Sequence, residues 1–221
     1  MIKKLPKKNV AGMVLALLAK RYPHPATHLA CKTPWELLAA TILAAQCTDE
    51  RVNSVTPALF SRWPSPAALA GAAPEEVEVY VRPTGFFRNK ARHLVGAAGR
   101  IIDAYGGEVP RRMEDLISLP GVARKTANVV LFGAYGINDG IAVDTHVGRI
   151  TYRLGLTTAN EPLRAERDLV ALFPREEWGN LNHRLVWFGR QVCTARSPAC
   201  AVCEMVGFCP KNGIRNLKEK K

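Results

Sequence analysis

Four of the six cysteines in this 221-residue chain fall within seventeen residues: Cys193, Cys200, Cys203 and Cys209, with Pro210 directly after the last. Such spacing forces four thiols round one short loop. The pattern C-x6-C-x2-C-x5-C holds a single C-x2-C pair, whereas zinc modules usually present two such pairs on separate hairpins. Four thiolates folded round a compact cube suit a [4Fe–4S] cluster better, with zinc the alternative. A disulfide framework is disfavoured because no secretory leader is expected. The basic start runs into a helix interrupted by Lys20 and Arg21, and no clear cleavage site follows. Cys31 and Cys47 lack partners at ligand spacing and read as buried thiols or small core residues.

Elsewhere the chain reads as helix, and no alternating strand pattern interrupts it. Asn9 is placed to cap a helix running to Arg21. Thr33-Pro34 pairs a cap with a proline at the first helical position and opens a helix over Trp35 to Ala45. By the same device, Thr56-Pro57 is expected to start a helix, and Ser65-Pro66 and Ala73-Pro74 two shorter ones. Ala91, Leu94, Val95, Ala98, Ile101 and Ile102 recur at helical spacing between Arg88 and Tyr105, and Gly106-Gly107 ends that run. Residues 110–117, 145–154, 163–173 and 177–192 complete about ten short helices. The expectation is an all-α chain, with no internal repeat and no apolar run near the roughly 20 residues that span a bilayer. No membrane association is expected, and the protein is expected to work inside the cell, in the cytoplasm or nucleoid.

The net charge of +12 is unevenly placed. Lys3, Lys4, Lys7, Lys8, Lys20 and Arg21 crowd the first 21 residues with no acidic partner, and Lys211, Arg215, Lys218, Lys220 and Lys221 gather at the other end against Glu219 alone. Between them the chain is close to neutral. Basic ends point to a polyanion such as nucleic acid, or to solvated tails.

One stretch then concentrates chemistry. Leu119-Pro120-Gly121-Val122-Ala123-Arg124-Lys125 is a proline-glycine hairpin leading straight into a helix, so unpaired amides and the positive end of a helix dipole face one way. Such a place favours a phosphate. Lys125 lies in the first turn of that helix, where a cation is normally disfavoured. After an apolar helix and a Gly/Asn bend comes Asp144, itself at the start of another helix, where an N-cap is the plainest role for it.

Taken together these residues resemble the helix–hairpin–helix DNA repair glycosylases, in the branch that carries an iron–sulfur cluster. The resemblance rests on residues 119–127, on Val143-Asp144-Thr145-His146-Val147, and on the cysteine spacing. Leu43-Ala44-Ala45-Gln46-Cys47-Thr48-Asp49 and Thr84-Gly85-Phe86-Phe87-Arg88-Asn89-Lys90-Ala91 extend it over nearly the whole chain. It implies two helical domains with a DNA cleft between them, a six-helix domain over 28–138 and a cluster domain joining 1–27 to 139–221. The basic ends then fall in one domain.

The resemblance also assigns roles. Lys125 becomes the nucleophile that attacks C1′ of a damaged nucleotide, forms a Schiff base and allows β-elimination. An unperturbed lysine keeps only ~0.04% of its amine neutral at pH 7, so a helix N-terminus and desolvation are expected to activate it. Asp144 becomes the essential carboxylate, stabilising an oxocarbenium-like sugar or assisting proton transfer. Gly121 and Ala123 supply backbone amides to a phosphate, although Ala123 stands where a second glycine is frequent. Gln46 is the candidate plug for the gap left by an extruded nucleotide, and Phe86 the candidate wedge in place of a commoner aliphatic residue. Arg196, in the cysteine loop, is a candidate phosphate contact. His146 reads as structural or phosphate-facing.

The expected activity is that of a bifunctional DNA glycosylase and abasic-site lyase with a [4Fe–4S] cluster. It would act as a monomer on double-stranded DNA containing damaged pyrimidines or abasic sites. Two alternatives remain. An adenine-mismatch glycosylase of the same superfamily lacks a lysine at this hairpin position and usually carries a further C-terminal domain. A non-catalytic helix–hairpin–helix module has no need of Lys125, Asp144 and Gln46 together.

Overall fold

The computed structural model describes residues 5–214, and within them every regular element is helical. The basic residues expected at 1–4 and 215–221 lie outside the described residues. The chain forms two compact units, Thr27–Asp139 and Met1–Ala26 joined with Gly140–Lys221.

The unit of residues 27–139 holds seven helices: α2 (Pro34–Leu43), α3 (Asp49–Arg62), α4 (Pro66–Ala70), α5 (Pro74–Val81), α6 (Phe87–Tyr105), α7 (Met113–Ile117) and α8 (Arg124–Tyr135). Local chemistry sets most of the starts. Thr33, Thr48 and Ser65 each accept a hydrogen bond from the backbone amide three residues on, and Pro34, Pro66 and Pro74 occupy the first helical positions. Thr56-Pro57 does not start a helix. Thr48 has already nucleated α3, which runs through Pro57 as an internal residue. The earlier cap outweighs the proline signal, and Pro57 simply leaves one carbonyl without its helical donor.

The core of this unit is built from α2, α3, α6 and α8, with Leu38, Leu43, Leu94, Ile101 and Leu131 fully buried. α6 is the spine. On one turn of α6, Gly96 leaves room for Pro120, since a Cβ there would lie 3.2 Å from its ring. On α8, Gly133 takes Leu37 of α2 into the same kind of gap, at 2.7 Å. The hairpin and the helix after it are therefore held from both sides by close backbone approach.

The second unit packs α1 (Lys7–Arg21), α9 (Thr145–Arg153), α10 (Pro162–Val170) and α11 (Trp178–Gln191) round a core that includes Leu18, Ile141, Ile150, Leu185 and Phe188. α1 begins two residues before the Asn9 cap expected for it, with Pro6 before it. The chain then folds back as a loop from Val192 to Ile214 that carries the four clustered cysteines. No helix among the described residues is long and apolar enough to cross a membrane.

Candidate active site and cluster loop

The hairpin is made by Gly121, whose φ of +77° lies in the left-handed region, and by the bond from the Val122 amide to the Leu119 carbonyl at 3.1 Å. Only glycine fits twice over here. A Cβ would sit 2.7 Å from the Cβ of His93 on α6, so the imidazole lies against the turn. Ala123 follows with φ −92° and ψ 167°, ordinary extended backbone. A glycine is not needed at that position, and the alanine carries no strain.

α8 starts at Arg124 with no side-chain cap and no acidic residue in its first turn. Its N-terminus thus offers amide donors and a positive dipole end to an external anion. Lys125, the second residue of α8, is exposed. The desolvation expected of its amine is not supplied by packing and has to come from whatever covers the hairpin.

Asp144 stands at the N-cap of α9, in the other unit. Its Oδ1 accepts a 2.8 Å bond from the Val147 amide, and the residue is half-buried. The cap expected from sequence is therefore present, which fixes the carboxylate while leaving its second oxygen for other chemistry. His146 turns towards α11. Its Nδ1 lies 3.1 Å from Arg149 Nη2, and Gly189 leaves the room that both side chains occupy.

Arg149 and Arg153, one turn apart on α9, both hold the start of the cysteine loop. Arg149 donates to the Cys193 carbonyl at 3.2 Å through Nε and at 3.1 Å through Nη2, and to the Gly189 carbonyl. Arg153 donates to the Thr194 and Ala195 carbonyls at 2.8 Å each and to Cys193 Sγ at 3.2 Å. Burial lowers the Arg149 pKa, opposed by Cys193 and Asp144. Sequence reading missed this pair; the visible signal was two arginines four apart in one short helix.

Cys193, Cys200, Cys203 and Cys209 line one cavity, walled by Ile150, Leu154, Phe188 and Met205. No three His, Cys, Asp or Glu side chains among the described residues are grouped to hold a single metal ion. Four thiols lining one shared space fit the donor set of a [4Fe–4S] cluster. Burial pushes the Cys203 and Cys209 thiols up. A bound metal centre reverses that preference, because it deprotonates the thiols that ligate it. Arg196 lies exposed on the loop between the first two cysteines. Cys31 and Cys47 are half-buried in the other unit, and Cys47 packs against its core.

Two further sequence candidates share an unusual backbone. Gln46, in the turn after α2, has φ +53°, and Phe86, at the N-cap of α6, has φ +48°. Both are exposed, Phe86 by 65%. Non-glycine residues pay for this conformation in strain, and such positions gather where a protein meets its ligand.

A model of HhH-GPD superfamily base excision DNA repair proteins matches residues 39–175, and one of the iron–sulfur binding domain of endonuclease III matches residues 193–209. The chain is 53% identical over 204 residues to endonuclease III of Synechocystis sp., across 92% of this chain and 93% of the relative. Identity to endonuclease III of Bacillus subtilis is 42% over 198 residues, covering 89% of this chain and 90% of the relative. The solved structure of a trapped endonuclease III–DNA covalent intermediate, an estranged-adenine complex, matches with a TM-score of 0.89 at 42% identity, over 94% of this chain and 97% of that one. A thermostable thymine-DNA glycosylase shares the fold with a TM-score of 0.79 at 22% identity, over 92% of this chain and 95% of that one.

Proposed function

The chain belongs to the HhH-GPD superfamily of base excision DNA repair proteins, and on that premise we propose that it is a bifunctional DNA glycosylase and abasic-site lyase whose nucleophile is Lys125. The observation that carries this reading is the exposed lysine one residue inside an uncapped helix N-terminus, behind a left-handed glycine hairpin. The hairpin amides take a backbone phosphate without reading sequence. That contact sets the register that brings the sugar to the amine.

The damaged pyrimidine leaves the stack at a cost of a few kcal/mol. Phe86 wedges the duplex and Gln46 fills the gap. Lys125 Nζ, as the free amine, attacks C1′; the glycosidic C–N bond breaks and the base departs with its electron pair and takes up a proton. Ring opening gives the protonated Schiff base. Loss of a C2′ proton then expels the 3′ phosphate by β-elimination, and water releases Lys125. Asp144, held by its cap bond to Val147, stabilises the cationic sugar and assists proton transfer. Cys193, Cys200, Cys203 and Cys209 would hold a [4Fe–4S] cluster, which would cross-link the loop of residues 193–209. The protein acts as a monomer, inside the cell, on double-stranded DNA with damaged pyrimidines or abasic sites.

Borohydride trapping on abasic-site DNA tests the assignment. The native protein gives a covalent adduct, and Lys125→Ala gives none, a loss of at least ~10³-fold. An adduct that survives this substitution overturns the role of Lys125.

A further inference from the structure

Lys90 is the most deeply buried lysine among the described residues, at 4% exposure, and nothing in the chemistry above uses it. It sits in the first turn of α6, where both burial and the helix dipole oppose a positive charge. Burial lowers its pKa, partly offset by the nearby Cys47 thiol. A surface lysine at this position would escape the burial penalty and feel the dipole only through solvent. Its contacts show what the side chain does instead.

The Lys90 ammonium donates to the Thr84 carbonyl at 2.8 Å, and the Lys90 amide donates to the Phe86 carbonyl at 3.1 Å. The ammonium therefore fixes the carbonyl before the Gly85-Phe86 turn, whose two residues have positive φ, +69° and +48°, and the first helical bond of α6 closes the turn from the other end. Thr84 is itself fixed, buried at 2% exposure with its hydroxyl donating to the Val81 carbonyl at 2.7 Å.

We propose that Lys90 is a positioning residue that holds the Thr84–Phe86 turn rigid, so that Phe86 enters the duplex as a fixed wedge. A poorly paired charge is costly to bury, so its retention needs a return that an apolar residue would not give. Here the return is a fixed carbonyl at the base of a strained turn. Methionine or leucine fills the same volume but leaves the Thr84 carbonyl without its donor, and the left-handed turn relaxes to commoner conformers.

The inference rests on the assignment of Phe86 as a residue that opens the duplex, and the test separates it from the assignment of Lys125. Lys90→Met and Lys90→Leu both remove the buried charge while keeping apolar bulk, so at least one folded variant is expected. Duplex DNA carrying 2-aminopurine opposite a stable abasic analogue reports unstacking by a rise in fluorescence. The native protein at saturation gives that rise, and each variant reduces it at least fivefold. Excision from duplex falls about tenfold in kcat, with KM within threefold, while adduct formation on a single-stranded abasic oligonucleotide, which has no stack to open, stays within threefold. Adding Phe86→Ala to either variant lowers duplex activity no further. An unchanged fluorescence rise, equal losses on duplex and single strand, or losses that multiply with Phe86→Ala overturn the proposal. If the native protein forms no borohydride adduct, the Lys125 reading fails, and the fluorescence comparison still decides the role of Lys90.

Discussion

α8 and α9 begin in opposite ways. α8 opens after Ala123 with no side-chain cap, no acid in its first turn, and Arg124 and Lys125 where cations are disfavoured. α9 opens on Asp144, whose carboxylate takes the Val147 amide and complements the dipole. In stability terms α9 is the better-made helix, and the contrast shows what a functional N-terminus leaves out. A capped end satisfies its own donors and fixes a carboxylate for use elsewhere. An uncapped end keeps its donors for a ligand.

The largest expected effect separates the two jobs of Asp144. Asparagine caps a helix as well as aspartate does, so Asp144→Asn keeps α9 and leaves the unfolding midpoint within about 0.5 kcal/mol. The negative charge is gone, and base excision falls on the order of 10²–10³-fold in single-turnover assays. A variant that loses stability and activity in proportion would show that Asp144 matters only as a cap.

Next in size is Gly121→Ala. The substitution meets both a left-handed φ of +77° and the His93 side chain at 2.7–2.8 Å, so it costs about 1–3 kcal/mol in denaturant titrations. Adding His93→Ala relieves the collision but not the strained φ. The double variant therefore recovers only part of the loss, and full recovery would show that glycine is needed for room alone.

Ala123→Asp converts the start of α8 into the start of α9. The new carboxylate accepts from the amides of the first turn and stabilises the protein by about 1 kcal/mol. The same bond occupies the phosphate donors and sets a negative charge beside them, so affinity for abasic-site DNA falls by roughly tenfold at low salt. The slope of log affinity against log salt flattens if one phosphate contact is lost. Tighter DNA binding by this variant would remove the hairpin from the interface.

How much of this was legible in the sequence depended on how local the cause was. The caps at Thr33, Ser65 and Asp144 lie next to the amides they bind, and composition alone announced them. Thr56-Pro57 misled because the same dipeptide signal cannot show that a helix already running from Thr48 will carry a proline through. Lys90 was out of reach for a different reason. It falls between apolar positions of an amphipathic helix and looks like any solvated lysine until the fold closes over it. The left-handed backbone at Gln46 and Phe86 was equally hidden, since neither position is marked by glycine or asparagine. The His93 contact on Gly121 and the Arg149 and Arg153 contacts on the Cys193–Ala195 segment join residues 28 or more positions apart. No window on the sequence contains both partners.

The smallest effect concerns the alanine that stood where a glycine was expected. A glycine at 123 would matter if the hairpin needed positive φ there, but the observed φ of −92° with ψ of 167° is open to any residue. The amides proposed to hold a phosphate depend on the conformation at Gly121, two residues earlier, and not on freedom at 123. Ala123→Gly therefore leaves the geometry unchanged and acts through the unfolded chain, which gains conformers that folding must remove. The expected cost is about 0.4–1 kcal/mol in the midpoint of urea unfolding, with abasic-site DNA affinity within twofold of native. A clear gain in DNA affinity would mean that the bound hairpin adopts a backbone at 123 different from this one, and the contrast between α8 and α9 would then include a change of shape on binding as well as a missing cap.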